Sequence, residues 1–148
     1  MARSFLESVK RWMLKELQGD ASVASLVPAF SVAVASNPDD TPTKPGVFVL
    51  VPSGTQPERF LAYAPLVVAC VHDSEQKSFD VLQAVLAKFV DRGADRPAGW
   101  VVDPLGDAYR LRVHRTKVDR VVAPLMITTS VPDLFLAEAH VSVWGSVL

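Results

Sequence analysis

The sequence predicts an α+β domain: a single mixed, mostly antiparallel sheet of four to six strands with two main helices packed on one face. Three observations predict it. Residues 59–91 pass from an almost uncharged extended segment, RFLAYAPLVVACVH, straight into DSEQKSFDVLQAVLAKFVDR, which carries a helix cap and then helical periodicity. A strand and a helix with matched apolar surfaces must bury them against each other, so this unit forms the centre of the core. A second amphipathic helix opens the chain, and alternating or continuous apolar runs elsewhere supply the remaining strands.

With 148 residues the chain is expected to form one domain, 1–148, burying roughly 70% of the surface its unfolded form exposes. Hydrophobic residues make up 49%, charged residues 21%, and the mean hydropathy is +0.23. That is apolar for a lone monomer. Either copies of the chain or a partner cover part of the surface, or the core is rich in alanine and valine. The net charge of -1 gives no global field toward nucleic acid or anionic membrane. The longest uncharged apolar runs, 60–71 and 121–132, fall short of the roughly 20 residues of a spanning helix, and each holds a proline. A soluble protein without a membrane partner is expected. The single cysteine, Cys70, excludes an internal disulfide and a thiolate-rich zinc site. MARSFLESVKRWM is amphipathic and interrupted by charge, so it is expected to be a helix of the mature domain rather than a secretory signal.

Ser4 and Glu7 form the S-x-x-E capping box that starts the first helix. Phe5, Leu6, Val9, Trp12, Met13 and Leu17 share one arc, Glu7, Arg11, Lys15 and Gln18 lie opposite, and Gly19 ends the run. Asp20 caps a short turn through Ser22, Val23 and Leu26 that Pro28 closes. FSVAVAS (30–36) is a modest strand, and NPDDTPTKPG, with three prolines, is an exposed loop. VFVLVP, apolar on both faces, is a central strand. In the next strand Pro65 lacks a ladder donor, which predicts an edge position or a bulge. Asp73 or Ser74 caps the main helix, whose stripe is Phe79, Leu82, Val85, Leu86, Phe89 and Val90, with Lys77, Asp80, Lys88 and Asp91 opposite.

WVVD, the turn PLGD and AYRLRVHR then read as two strands, with Tyr109, Leu111 and Val113 facing one way and Arg110, Arg112 and His114 the other. Residues 116–133 lack clear periodicity and are expected to be an extended arm or irregular loop. The final strand, 134–147, places Phe135, Ala137, Ala139, Val141 and Val143 on one face and Glu138, His140 and Ser142 on the other.

Cys70, His72 and Asp73 bring a thiol, an imidazole and a carboxylate close in sequence. A cysteine nucleophile needs a base within hydrogen-bond reach, however, and neighbours on one strand aim parallel. A buried cysteine, a strand-end histidine and a helix-capping aspartate are expected instead, and no enzyme activity. His72, His114 and His140 lie on separate strands without HxH, HExxH or CxxC spacing, so no metal is expected. Ser53 sits in a turn that lacks the lysine and flanking glycines of a phosphate loop. The charge feature that stands out is Arg110, Arg112, Arg115, Lys117 and Arg120, five of the 15 basic residues within eleven positions. It is either a solvated strand face, a contact with an acidic surface of a neighbouring subunit such as the Asp39 and Asp40 loop, or a contact with DNA phosphates. No recognition helix or zinc pattern accompanies it.

The order of features is an N-terminal amphipathic helix, the turn DASVASLV, a Pro-rich loop leading to PGVFVLV, an apolar strand ending in HDSEQ, and a long helix followed by closing strands. This order resembles the tail terminator and tail completion (head-tail joining) proteins of long-tailed bacteriophages, over most of the chain up to Val90. The resemblance implies a small α/β domain forming a ring, usually of six copies, at the head-proximal end of the tail tube. There it would stop tube growth and join the tail to the head connector, with the tube protein and a head completion or stopper protein as partners and genomic DNA nearby in the channel. It implies a virion protein of the tail or neck, assembled in the host cytoplasm, without a cofactor. The expected contact residues are Arg110, Arg112, His114, Arg115, Lys117, Arg120, Asp39 and Asp40, a choice that comes from their charge. The alternative reading is a nucleic-acid-binding module using the basic strand 110–120.

Overall fold

Apolar residues spaced three and four apart give a helix one greasy side, and α1 (Phe5–Gln18) buries that side: Phe5, Leu6, Val9, Trp12, Met13, Leu14 and Leu17. The structure, a computed structural model, describes residues 5–27, 32–34, 45–51, 63–89, 99–102, 108–128 and 133–147. Ser4 of the expected capping box lies outside them. Glu7 pairs along its own helix, 2.7 Å from Lys10 Nζ and 3.1 Å from Arg11 Nε. After Gly19 the carboxylate of Asp20 accepts the Val23 N–H at 3.0 Å and starts the short α2 (Ala21–Ala24), as its sequence position predicts.

Six described strands form one sheet: β1 (Val32–Val34), β2 (Gly46–Leu50), β3 (Tyr63–His72), β4 (Gly99–Val102), β5 (Ala108–Thr128) and β6 (Leu134–Val147). Between β3 and β4 comes the long helix α3 (Glu75–Phe89). The spatial order is β1-β2-β3-β6-β5-β4, with β1 and β2 parallel and every other pair antiparallel. This is the expected mixed, mostly antiparallel α+β sheet. α1 packs over β1, β2 and β3, and α3 over β3, β6 and β5, so both helices cover the same face.

On that face β3 buries Ala64, Leu66, Val68 and Cys70, and β6 buries Ala137, Ala139, Val141 and Val143, under the Val81, Leu82, Val85 and Phe89 stripe of α3. Each fully buried Val, Leu or Phe contributes about 1.5–3 kcal/mol relative to exposure. Trp12 and Phe89 meet edge-on, with centroids 6.0 Å apart, and join the two helices. The Ser78 hydroxyl donates to the Cys70 carbonyl at 2.9 Å and fixes the start of α3 on β3. Ser74 is the residue that caps α3, its hydroxyl accepting the Lys77 N–H at 3.1 Å.

Several expectations are corrected. Residues 116–128 are not an arm: they continue β5, a strand of 21 residues that pairs with β6 as far as Thr128. Their alternation is hidden because the register shifts four times, between Val113 and Arg115, Val118 and Arg120, Val122 and Leu125, and Met126 and Thr128. Pro65 pairs with Ser142 of β6 without a bulge, and although β3 is an interior strand, β2 pairs with it only as far as Val67, so among the described residues the other side of Pro65 is open, the edge position expected of it.

Phe79 is 41% exposed rather than in the stripe, which centres on Ser78, Val81, Leu82, Val85 and Phe89. Lys88 does not face solvent alone: it reaches Glu16 at 3.3 Å and Asp20 at 3.6 Å, tying α3 to the preceding helices. Ser142 lies on the expected face of β6 and is buried there, bonding to the Tyr63 hydroxyl at 3.3 Å and to Asp119. Val90 and the turns at 53 and 104–107 lie outside the described residues.

Candidate functional site

Of the thiol, imidazole and carboxylate that sit close in sequence, the imidazole and carboxylate meet while the thiol is enclosed in the core. Cys70 points into the core with no exposed surface, and burial, helped by the nearby Glu138 charge, pushes its thiol well above the ordinary cysteine range. His72 is occupied elsewhere, with Nε2 donating to the Leu26 carbonyl at 3.2 Å and Nδ1 2.9 Å from Asp73 Oδ1. That contact and the Lys77 charge hold the Asp73 carboxyl below its usual range. The histidine is thus a strap between the end of β3 and the α2 turn. Among the described residues no group of three or more His, Cys, Asp and Glu could hold a metal ion.

Strand β5 is where side chains of one kind collect. Beyond Leu111 it has no neighbour on its outer edge among the described residues, because β4 pairs only with 108–111. The face of β6 turned away from the helices carries Ser146, Trp144, Ser142 and His140, and opposite them in register stand Arg112, Arg115, Lys117 and Arg120. All four cations are exposed. Strict alternation would have put Arg112 and Arg120 on one face and Arg115 and Lys117 on the other. The bulges at His114 and Asp119 each absorb one residue, and so bring all four to the same side.

The row has its own supports. Arg115 lies over the Trp144 ring at 5.3 Å, and Trp144 packs against Tyr63 at 5.2 Å between centroids. The two acids nearby are already engaged, Asp119 with the Ser142 hydroxyl and Glu138 with His140 at 3.0 Å. Of the other expected contact residues, His114 is exposed at its bulge, Arg110 pairs in register with Trp100, and Asp39, Asp40 and the Arg110 side chain lie outside the described residues.

Past Arg120 the strand changes character. Val121 is 46% and Leu125 60% exposed, and with Phe79 they are the exposed large hydrophobics among the described residues. Pro124 and Phe79, with Glu75 and Gln76, line an open groove of ≈ 290 Å³ between β5 and the start of α3. Residues 121–132 carried a signal for this, an uncharged run without periodicity beside a basic one. Tyr63 and Trp144 were not singled out from sequence, although Trp144 has the same parity on β6 as Glu138, His140 and Ser142.

The fold and this surface define a small α+β domain with one helix-covered sheet face and a long strand, β5, that is open along most of its outer side among the described residues. No protein-family model matches the chain, and no curated protein does. Among solved structures it is similar to a chain of the "Virion of native gene transfer agent (GTA) particle", with a TM-score of 0.54 at 16% identity over 90% of each chain. At that identity the likeness is one of fold.

Proposed function

We propose that this protein is a structural virion protein of a phage-like particle, a tail terminator that forms a ring, most simply of six copies, at the head-proximal end of the tail tube. The observation that carries the reading is the fold shared with a chain of a gene transfer agent virion across nine-tenths of both molecules. It is supported by the order of sequence features and by the exposed apolar side chains Phe79, Val121 and Leu125 along the part of β5 that has no outer neighbour among the described residues. In this reading the mechanism is occupancy: a ring complementary to the tube on one face and different on the other blocks further addition and offers the head completion protein its seat. The chain acts by shape, with no cofactor and no covalent step.

The test is light scattering and electron microscopy of the purified protein, alone and with its tube protein. Closed rings, or a cap on tube ends that halts their growth, are expected. A protein that stays monomeric at high concentration and leaves tube growth unchanged overturns the reading. Replacing Phe79 and Leu125 by serine is expected to weaken assembly while leaving the monomer folded, because both side chains lie at the surface, 41% and 60% exposed, outside the core.

A further inference from the structure

The geometry points to a binding surface for duplex nucleic acid on the basic half of β5, made by Arg112, Arg115, Lys117 and Arg120 on the sheet face turned away from the helices. The inference stands on this row alone and does not depend on ring formation.

Their β6 partners run from Ser146 to His140, six steps of an unbroken strand, so the row is about 20 Å long. Same-sign charges in a line of that length match the repeating phosphates of a duplex backbone better than they match a folded partner. A protein interface needs a dry apolar centre, and this row has none. Val121 and Leu125 lie beyond its end, and Trp144, the large ring within it, is roofed by Arg115.

Two of the four charges are also unpaired. Lys117 and Arg120 have no ion-pair partner among the described residues, while the two acids on the face are held by Ser142 and His140. With a net charge of -1 the chain offers no general attraction, so binding is confined to this strip. Two bulges hold four cations on one face, where an unbroken strand would present two.

The experiment measures fluorescence anisotropy of a labelled DNA duplex titrated with the full chain across a salt series. Four phosphate contacts per copy give a log–log slope of about -3.6, a loss of about 10²-fold between about 50 and 200 mM salt. The double variant K117E/R120E is expected to lose at least about tenfold in affinity at low salt and to show a shallower slope. K77E, on the exposed side of α3, is expected to bind as the parent does. Circular dichroism shows that each variant is folded, and light scattering shows whether its assembly is altered, so loss of binding is distinguishable from loss of association. The inference is overturned by absence of binding at low salt, by unchanged affinity in K117E/R120E, or by polyglutamate of equal charge displacing the duplex one for one. That last result would mark the row as a seat for acidic protein.

Discussion

Gly145 of β6 lies so close to Arg112 of β5 that a Cβ on the glycine would collide with the Arg112 carbonyl oxygen and sit 3.2 Å from the Val113 Cα. Both contacts are with backbone, at the step where the register shifts to bring Arg115 onto the face of Arg112. Neither side can yield by rotating a side chain.

Gly145→Ala is therefore expected to destabilise the protein at or above the upper end of the about 1–3 kcal/mol typical of overpacking. Gly19→Ala is the control, since its Cβ would meet the nearest atom, the Lys15 carbonyl, at an ordinary 3.4 Å. Urea denaturation of the three proteins checks this, and equal midpoints for Gly145→Ala and the parent would contradict it.

Ser78→Ala removes the buried donor to the Cys70 carbonyl at the β3–α3 junction. A loss of about 1 kcal/mol is expected, read from the same denaturation curves. A change within about 0.5 kcal/mol, ordinary for an exposed site, would show that the bond does not hold the junction.

The Cys70 thiol is expected to resist alkylation in the native protein, because the thiolate is the reactive species and burial disfavours it. Labelling with iodoacetamide should proceed only through opening and accelerate with added urea. Native-state labelling at the rate of a free thiol would place the side chain at the surface instead.

Stability should fall on acidification partly through Asp73. Its folded carboxyl titrates below the ordinary value, first because of its hydrogen bond with His72 and then because of Lys77. The unfolded state therefore binds the proton first. The contribution is present above the unfolded pKa of about 3.9 and is lost as pH falls through the lower folded value. Unfolding midpoints of Asp73→Asn and the parent should differ at neutral pH and converge below that window. A difference that persists at the acid end would assign the effect to something other than this carboxylate.

Much of the architecture was legible in the residues, and the reason is locality. Asp20 caps α2 through a bond three residues away, α1 shows its buried arc in its own spacing, and β6 alternates without interruption, so its bounds and its core-facing residues Ala137, Ala139, Val141 and Val143 follow from parity. Ser142 has the expected parity and yet is buried, because Tyr63 from β3 and Asp119 from β5 close over it. Phe79 has helical spacing consistent with the stripe but lies where α3 leaves a groove beside Pro124. How far a neighbouring element reaches over a residue is not written beside that residue in the chain.

The α+β class, the two covering helices and the concentration of positive charge between 110 and 120 follow from the order of residues. That 116–128 belongs to a strand, and that Arg112, Arg115, Lys117 and Arg120 share a face, follows from strand pairing in the folded chain. A strand's parity is readable from its own residues while its register is unbroken. Where it bulges, the side on which each later residue falls is settled by pairing with β6, whose partner positions come up to 36 residues later, as for Leu111 and Val147.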